Sequence, residues 1–249
     1  MAKVNGMIKI EGTLENLTFY KSGSEHFVRT KGGVSKSRIM NDPAFVRTRE
    51  NGSEFSSIAA SGKLLRTALG PLLFKAKDSR LSSRMLQLFS KVKNLDATSI
   101  RGLRNVADGF LDPQAKALLV GFDFNVRASL GSVLNSSILV DSALRQLTFG
   151  AFDPTQQLKA PEGATHFSMQ SGFLVVDFAT GEYSLALSDE LVFPLVLGEI
   201  SPVLTPISVP TGTGVAMQVV LLEFFQQVNG SNYLLNNGAY NVLHVVAVQ

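Results

Sequence analysis

Three histidines, His26, His166 and His244, are the only imidazoles in the chain. Imidazole moves protons and binds metals near neutral pH, but it needs partners at set spacings to do either. No two of the three are near in sequence, none sits in an HExxH-type array, and there is no cysteine for a Cys/His zinc site or a disulfide. Counting alone leaves a serine–histidine–acid triad open, although no GxSxG elbow is present. Structural or surface positions account for all three. Gly212-x-Gly214 in VPTGTGVA lacks the third glycine of a dinucleotide fingerprint and is followed by a strand pattern, so it reads as a loop. SGKLLR (61–66) lacks the upstream glycine of a phosphate loop and reads as ordinary helix. Asp189-Glu190 falls in a polar turn. Glu50 and Glu54 lie one helical turn apart among Arg47, Arg49 and Lys63, which suits surface ion pairs. These residues point to no catalytic array, no cofactor and no metal, and the chain reads as a non-enzyme.

The charges are more informative. Net charge is +3, but residues 1–127 hold 21 of the 23 Lys and Arg against 11 of the 20 Asp and Glu, a net +10. Residues 128–249 keep only Arg145 and Lys159 against nine acids, a net −7. Such a division fits a nucleic-acid face, two parts that neutralise each other within one molecule, or subunits that stack head to tail. The candidate contact residues are the cations Lys21, Arg29, Arg38, Arg47, Arg49, Arg66, Arg80 and Arg84 and the acids Glu182, Asp189, Glu190 and Glu199. The cations would meet either a neighbouring subunit or phosphate. Phe19, Tyr20 and Phe27 beside Lys21 and Arg29 are types that stack bases in single-strand binders. Packing of a hairpin explains them equally, and no recognised nucleic-acid motif accompanies them.

These residues sit on two kinds of element. Residues 6–11, 16–21 and 26–31 read as short strands separated by the turn-like GTLE and SGSE. Two or three strands alone are marginal in water and must pack on something. Helix is expected on and off over 42–76, with Asn41 or Asp42 as cap and a break at Gly70-Pro71. A second helix is expected over 79–95, capped by Asp78 or Ser79, and a third over 112–124, with Asp112 as cap and Pro113 at its first position. After about residue 128 the helical pattern disappears. Eight or so apolar runs follow, separated by DPTQ, APEGA, ATGE, PTGTG, NGSN and NNGA, the pattern of an antiparallel sandwich. The fold class is therefore α+β: an N-terminal β-hairpin and helical region, then an antiparallel β-sandwich. Domains are expected at 1–127, basic, and 128–249, acidic and lysine-poor.

Charged residues make up 17% of the chain, against about 25% for an average soluble domain. The opening residues show no apolar signal core, and runs such as VVLLEFF (219–225) fall far short of the roughly 20 residues of a membrane-spanning helix. A soluble cytoplasmic protein with no membrane partner is expected. Natural sheets blunt their edges with lysine, proline or inward charge. Long strands such as 215–228 are nearly uncharged here, with Glu223 the exception. A protein that covers such strands with another subunit escapes the risk, and a heterologous contact whose rotation does not close makes filaments or tubes.

The pattern MAKVNGMIKIEGTLENLTFYK…VRTKGGVSKSRI…DPAFVRTRENGSEFSSIAASGKLLR, with the later GATHFSMQSG, PTGTG and EFFQQVNG stretches, resembles a conserved, uncharacterised Bacteroidota protein family over nearly the whole chain. The resemblance implies a bacterial, cytoplasmic setting and carries over no activity, cofactor or site residue. Three functions follow for testing. The first is a non-enzymatic structural protein that self-assembles head to tail into a filament, tube or other homopolymer, with the opening strands exchanged between subunits. The second is a nucleic-acid-associated protein. The third is a ligand-binding sandwich module, for which the strand region offers only Tyr183, Tyr233 and Tyr240 as platform aromatics and no tryptophan.

Overall fold

The computed structural model describes residues 2–4, 10–76 and 78–249. The chain forms two compact units, Met1–Asn51 and Gly52–Gln249. The first is an antiparallel sheet of β1 (Ala2–Lys3), β2 (Gly12–Leu14), β3 (Leu17–Ser22) and β4 (Glu25–Thr30), ordered β1-β4-β3-β2. Its centre is the β3–β4 hairpin, in which Phe19 pairs with Val28 and Tyr20 with Phe27. The strand expected over 6–11 falls largely outside the described residues. The short helix α1 (Lys36–Asn41) follows, where Ser35 accepts a hydrogen bond from the Arg38 amide, and then a single 3-10 turn, Pro43–Phe45, capped by Asp42.

Residues of the second unit enter on α2 (Val46–Ala68), followed by α3 (Gly70–Leu73), α4 (Leu81–Asn94), α5 (Val106–Gly109), α6 (Pro113–Leu119) and α7 (Leu130–Val133). The helical run breaks at Gly70-Pro71, as the ring of Pro71 dictates, and α3 starts there with the proline in its first turn. Then come β5 (Ile138–Asp141), β6 (Gln146–Phe149), α8 (Pro154–Gln157), β7 (His166–Val176), β8 (Tyr183–Leu187), β9 (Leu191–Pro194), β10 (Val203–Leu204), β11 (Val215–Val228), β12 (Ser231–Leu234) and β13 (Val242–Val248). They build a three-stranded sheet, β10-β6-β5, and a six-stranded antiparallel sheet. In the larger sheet β11 and β7 run side by side; β12 and β13 pair along the outer side of β11, and β8 and β9 along the outer side of β7.

The large sheet is covered on both faces. Alternation along β11 sends Met217, Val219 and Leu221 to one side, where they join Leu65, Met85, Phe89 and Val92 of the helices. Val220, Leu222 and Phe224 point the other way and meet Leu147 and Phe149 of the small sheet, the sandwich contact proper. A strand buried on both faces reads as a continuous apolar run. Intramolecular cover thus accounts for most of the missing charge in 215–228: β11 is a central strand, not an edge. For the same reason the compact units do not divide where strand replaces helix near residue 127. The helices of 52–127 share one core with the sheet they cover, and their unit begins at Gly52. The charge redistributes accordingly. Residues 1–51 carry nine Lys and Arg against five Asp and Glu, a net +4. Residues 52–249 carry 14 against 15, a net −1.

Several local expectations change. The helix expected over 112–124 ends at Leu119. Gly121, at φ 83°, turns the chain so that residues 121–124 lie against the free edge of β13, with Gly121 N donating to Val245 O at 2.9 Å and Phe124 N to Leu243 O at 2.8 Å. Asp78 does not cap α4; its carboxylate accepts from the Arg80 amide at 2.6 Å, and Arg80 takes the cap position without a side-chain bond. DPTQ is a one-turn helix, with Asp153 accepting from the Thr155 amide; Asp189-Glu190 form the link after β8, and β9 follows them on LVFP, a run not expected to be a strand. NNGA closes a 3-10 turn, Leu235–Gly238, and is not a hairpin loop.

Candidate assembly interface

In an antiparallel pair, opposed residues share a face. The register of the N-terminal sheet therefore sorts its side chains. One face carries Leu14, Leu17, Phe19 and Val28, with Lys21 and His26 at one end. The other carries Thr13, Thr18, Tyr20, Phe27 and Arg29, with Arg29 5.4 Å from the Tyr20 ring centroid and Tyr20 stacked on Phe27 at 5.8 Å. The first face is apolar but not enclosed: Leu14 is 64% exposed and Leu17 43%. Among the described residues of 1–51 not one is buried. A sheet of this size ordinarily requires an apolar face packed against another layer.

The other cations fall into two groups. Arg38, Arg47 and Arg80 are exposed, Arg38 pairing with Asp42 and Arg47 with Glu50, each at 3.1 Å. These helix-surface pairs contribute a few tenths of a kcal/mol and leave the cations accessible. Arg49 and Arg84 are spent inside the fold. Arg49 donates to the carbonyls of Ile39 at 2.7 Å and Asp42 at 3.1 Å. Arg84 bonds Asp78 at 2.6 Å and the carbonyls of Asp123 and Phe124 at 2.7 and 3.0 Å, while lying over the Phe122 ring. Arg66 is half-buried on α2. Of the acids, Glu182 precedes β8, Asp189 and Glu190 lie between β8 and β9, and Glu199 lies in the β9–β10 loop beside the Ile200–Phe152 bridge; all four are exposed.

Three buried carboxylates, Glu54, Asp96 and Glu223, were not legible as sites in the sequence, and all bind within the fold, Asp96 accepting from the Thr98, Ser99 and Asn105 amides. Glu54 on α2 is 4% exposed and accepts from Lys93 at 2.6 Å, from Arg104 at 2.9 and 3.0 Å, and from the Gly102 amide at 2.8 Å. The Arg104 guanidinium, helped by Lys93 and the amide, outweighs burial and holds its pKa down at about 2. Glu223, in the middle of β11, is 3% exposed; burial raises its pKa against the pull of Lys75, whose Nζ lies 2.7 Å away. Lys75 also stands 3.8 Å from Glu190, so this helix-region cation already serves the acidic sheet within the unit. His244 lies 2.7 Å from Asp123, whose same carboxylate oxygen accepts from the Leu130 amide. That pair joins the 121–124 segment to β13. Among the described residues, no group of three or more His, Asp or Glu gathers as a metal site.

No protein-family model, no curated protein and no solved structure matches the chain.

Proposed function

We propose that this chain is a structural subunit that assembles with copies of itself in a cytoplasmic setting, its N-terminal sheet docking on a neighbour in a head-to-tail polymer. One observation carries the reading: residues 1–51 contain an apolar sheet face with no buried residue among those described. A free sheet of that kind gains too little burial to offset the order it imposes. The +4 on residues 1–51 adds direction to the contact. A cationic sheet fits the acidic strand region of a neighbour, where Glu182, Asp189 and Glu199 are exposed. The helix cations, by contrast, sit with the sheet acids in a unit close to neutral, which narrows the electrostatic contact from the whole basic half to its first 51 residues.

The test is sedimentation of the full chain beside Leu17→Glu, which places a carboxylate on the exposed apolar face. Wild type sediments as large species that shrink as salt rises, since exposed charges are screened within about 8–10 Å at 0.1–0.15 M. Leu17→Glu shifts the distribution toward the monomer. Equal distributions for the two proteins would remove the N-terminal sheet from the contact.

A further inference from the structure

We infer that β12 is a self-recognition edge, and that two copies pair their β12 strands antiparallel about a two-fold axis at Tyr233. This rests on the self-association reading and names a second surface for it.

From Phe224 to Gln249 the chain has no Lys, Arg, Asp or Glu. Residues 226–234, the tip of the β11–β12 hairpin, are all exposed, with Val228 46%, Tyr233 59% and Leu234 42% accessible. The other margins of the large sheet are guarded. Residues 121–124 cover β13, Ile207 N bonds Leu187 O at 2.9 Å beside β8, and β9 ends on Pro194. Among the described residues, the 3-10 turn Leu235–Gly238 begins on the Leu234 carbonyl, and no backbone hydrogen bond reaches the outer side of the rest of β12. An edge without charge, proline or cover is what natural sheets avoid unless a strand pairs there.

The hairpin geometry sets the register. Asn229 and Gly230, at φ 52° and 80°, form a two-residue type I′ loop, and Val228 pairs with Ser231 across it. The pair flanking such a loop exchanges both its backbone bonds. Ser231 and Tyr233 therefore turn their N–H and C=O toward β11, and Asn232 and Leu234 turn theirs outward. A two-fold axis perpendicular to the sheet keeps like faces on one side, so a residue must oppose its own copy. Centred on Asn232, the pairing makes two bonds before it meets Gly230 in the loop. Because the Leu234 carbonyl already serves the 3-10 turn, centring on Tyr233 likewise makes two free bonds, each Leu234 amide donating to the Asn232 carbonyl of the other copy. It also sets the two tyrosines as a non-hydrogen-bonded pair, Cα atoms about 4.5 Å apart, where aromatic side chains pack best. A second copy is the occupant because the bare groups are a row of backbone donors and acceptors, there is no charge for a phosphate or a charged peptide to meet, and a two-fold pair closes both edges at once. A contact four residues long is weak singly and gains from repetition along a polymer.

The chain has no cysteine, so one introduced thiol reports one position. Tyr233→Cys in the full chain places the two thiols within disulfide reach across the axis, whereas Asn232→Cys faces Leu234 of the other copy. Under diamide, Tyr233→Cys converts largely to a disulfide dimer in 0.5 M salt as well as in low salt, and Asn232→Cys reacts at least tenfold more slowly. Equal rates for the two variants, or no dimer from either, overturn the β12 pairing. Sedimentation of the wild type separates this from the wider reading. An assembling wild type with no selective capture sinks only the β12 edge. A monomeric wild type with selective capture keeps the edge as a dimer contact and removes the polymer. A monomeric wild type with no capture removes both.

Discussion

Glu54 shows how a charged residue written into a helix becomes part of a core. In sequence it belongs to an i, i+4 acid pair among cations and reads as a surface ion pair. In the fold, the turn after α4 brings Arg104 and the Gly102 amide back onto it, partners 48 and 50 residues away that no local pattern reveals. Glu54→Gln leaves Lys93, itself 6% exposed, without its counter-charge. Breaking a buried pair of this kind costs about 3–5 kcal/mol, to be read from urea unfolding at neutral pH. Because the folded pKa is depressed, the contribution is full above the ordinary value of 4.5 and is lost as pH falls toward about 2. Wild type therefore loses stability across that window, and the glutamine variant loses less across it. Glu223 works in the opposite sense, since burial raises its pKa and favours its neutral form. Its isolation in an apolar strand was plain in the sequence; its partner Lys75, 148 residues earlier, was not.

At the scale of elements, runs bounded by turn residues were readable because alternation and glycine are local signals. β3, β4, β7, β11 and β13 lie where the apolar runs place them, and the Gly70-Pro71 break is where proline chemistry puts it. Pairing order was not readable. β11 looked like an exposed edge because uncharged sequence is common to edges that recruit partners and strands buried on both faces. Only the helices on one side and β6 on the other distinguish them. Close approaches were equally hidden. Gly109 sits so near α4 that a Cβ there would lie 2.3 Å from the Val92 carbonyl oxygen. Gly109→Ala must push α5 from α4, at a cost of about 1–3 kcal/mol, visible as a lower thermal midpoint. Gly52→Ala, at a helical position with open space around it, should leave the midpoint unchanged or raised.

At the scale of the molecule, the charge division of the sequence is real but its boundary is misleading. Cutting at residue 127 sets +10 against −7. Cutting where the chain is compact sets +4 on residues 1–51 against −1 on the rest. Most of the apparent dipole is helices lying on the sheet they neutralise. What remains is a small cationic sheet with an unburied apolar face and, in the larger unit, one uncharged hairpin edge. Two unlike surfaces per copy are what an extended assembly requires, since a single two-fold contact closes at the dimer. The most direct test is negative-stain microscopy of the purified full chain at low salt, with sedimentation of the same sample. The account predicts elongated assemblies that shorten on dilution and as salt rises. A uniform 26.8 kDa particle at every concentration and salt would contradict it.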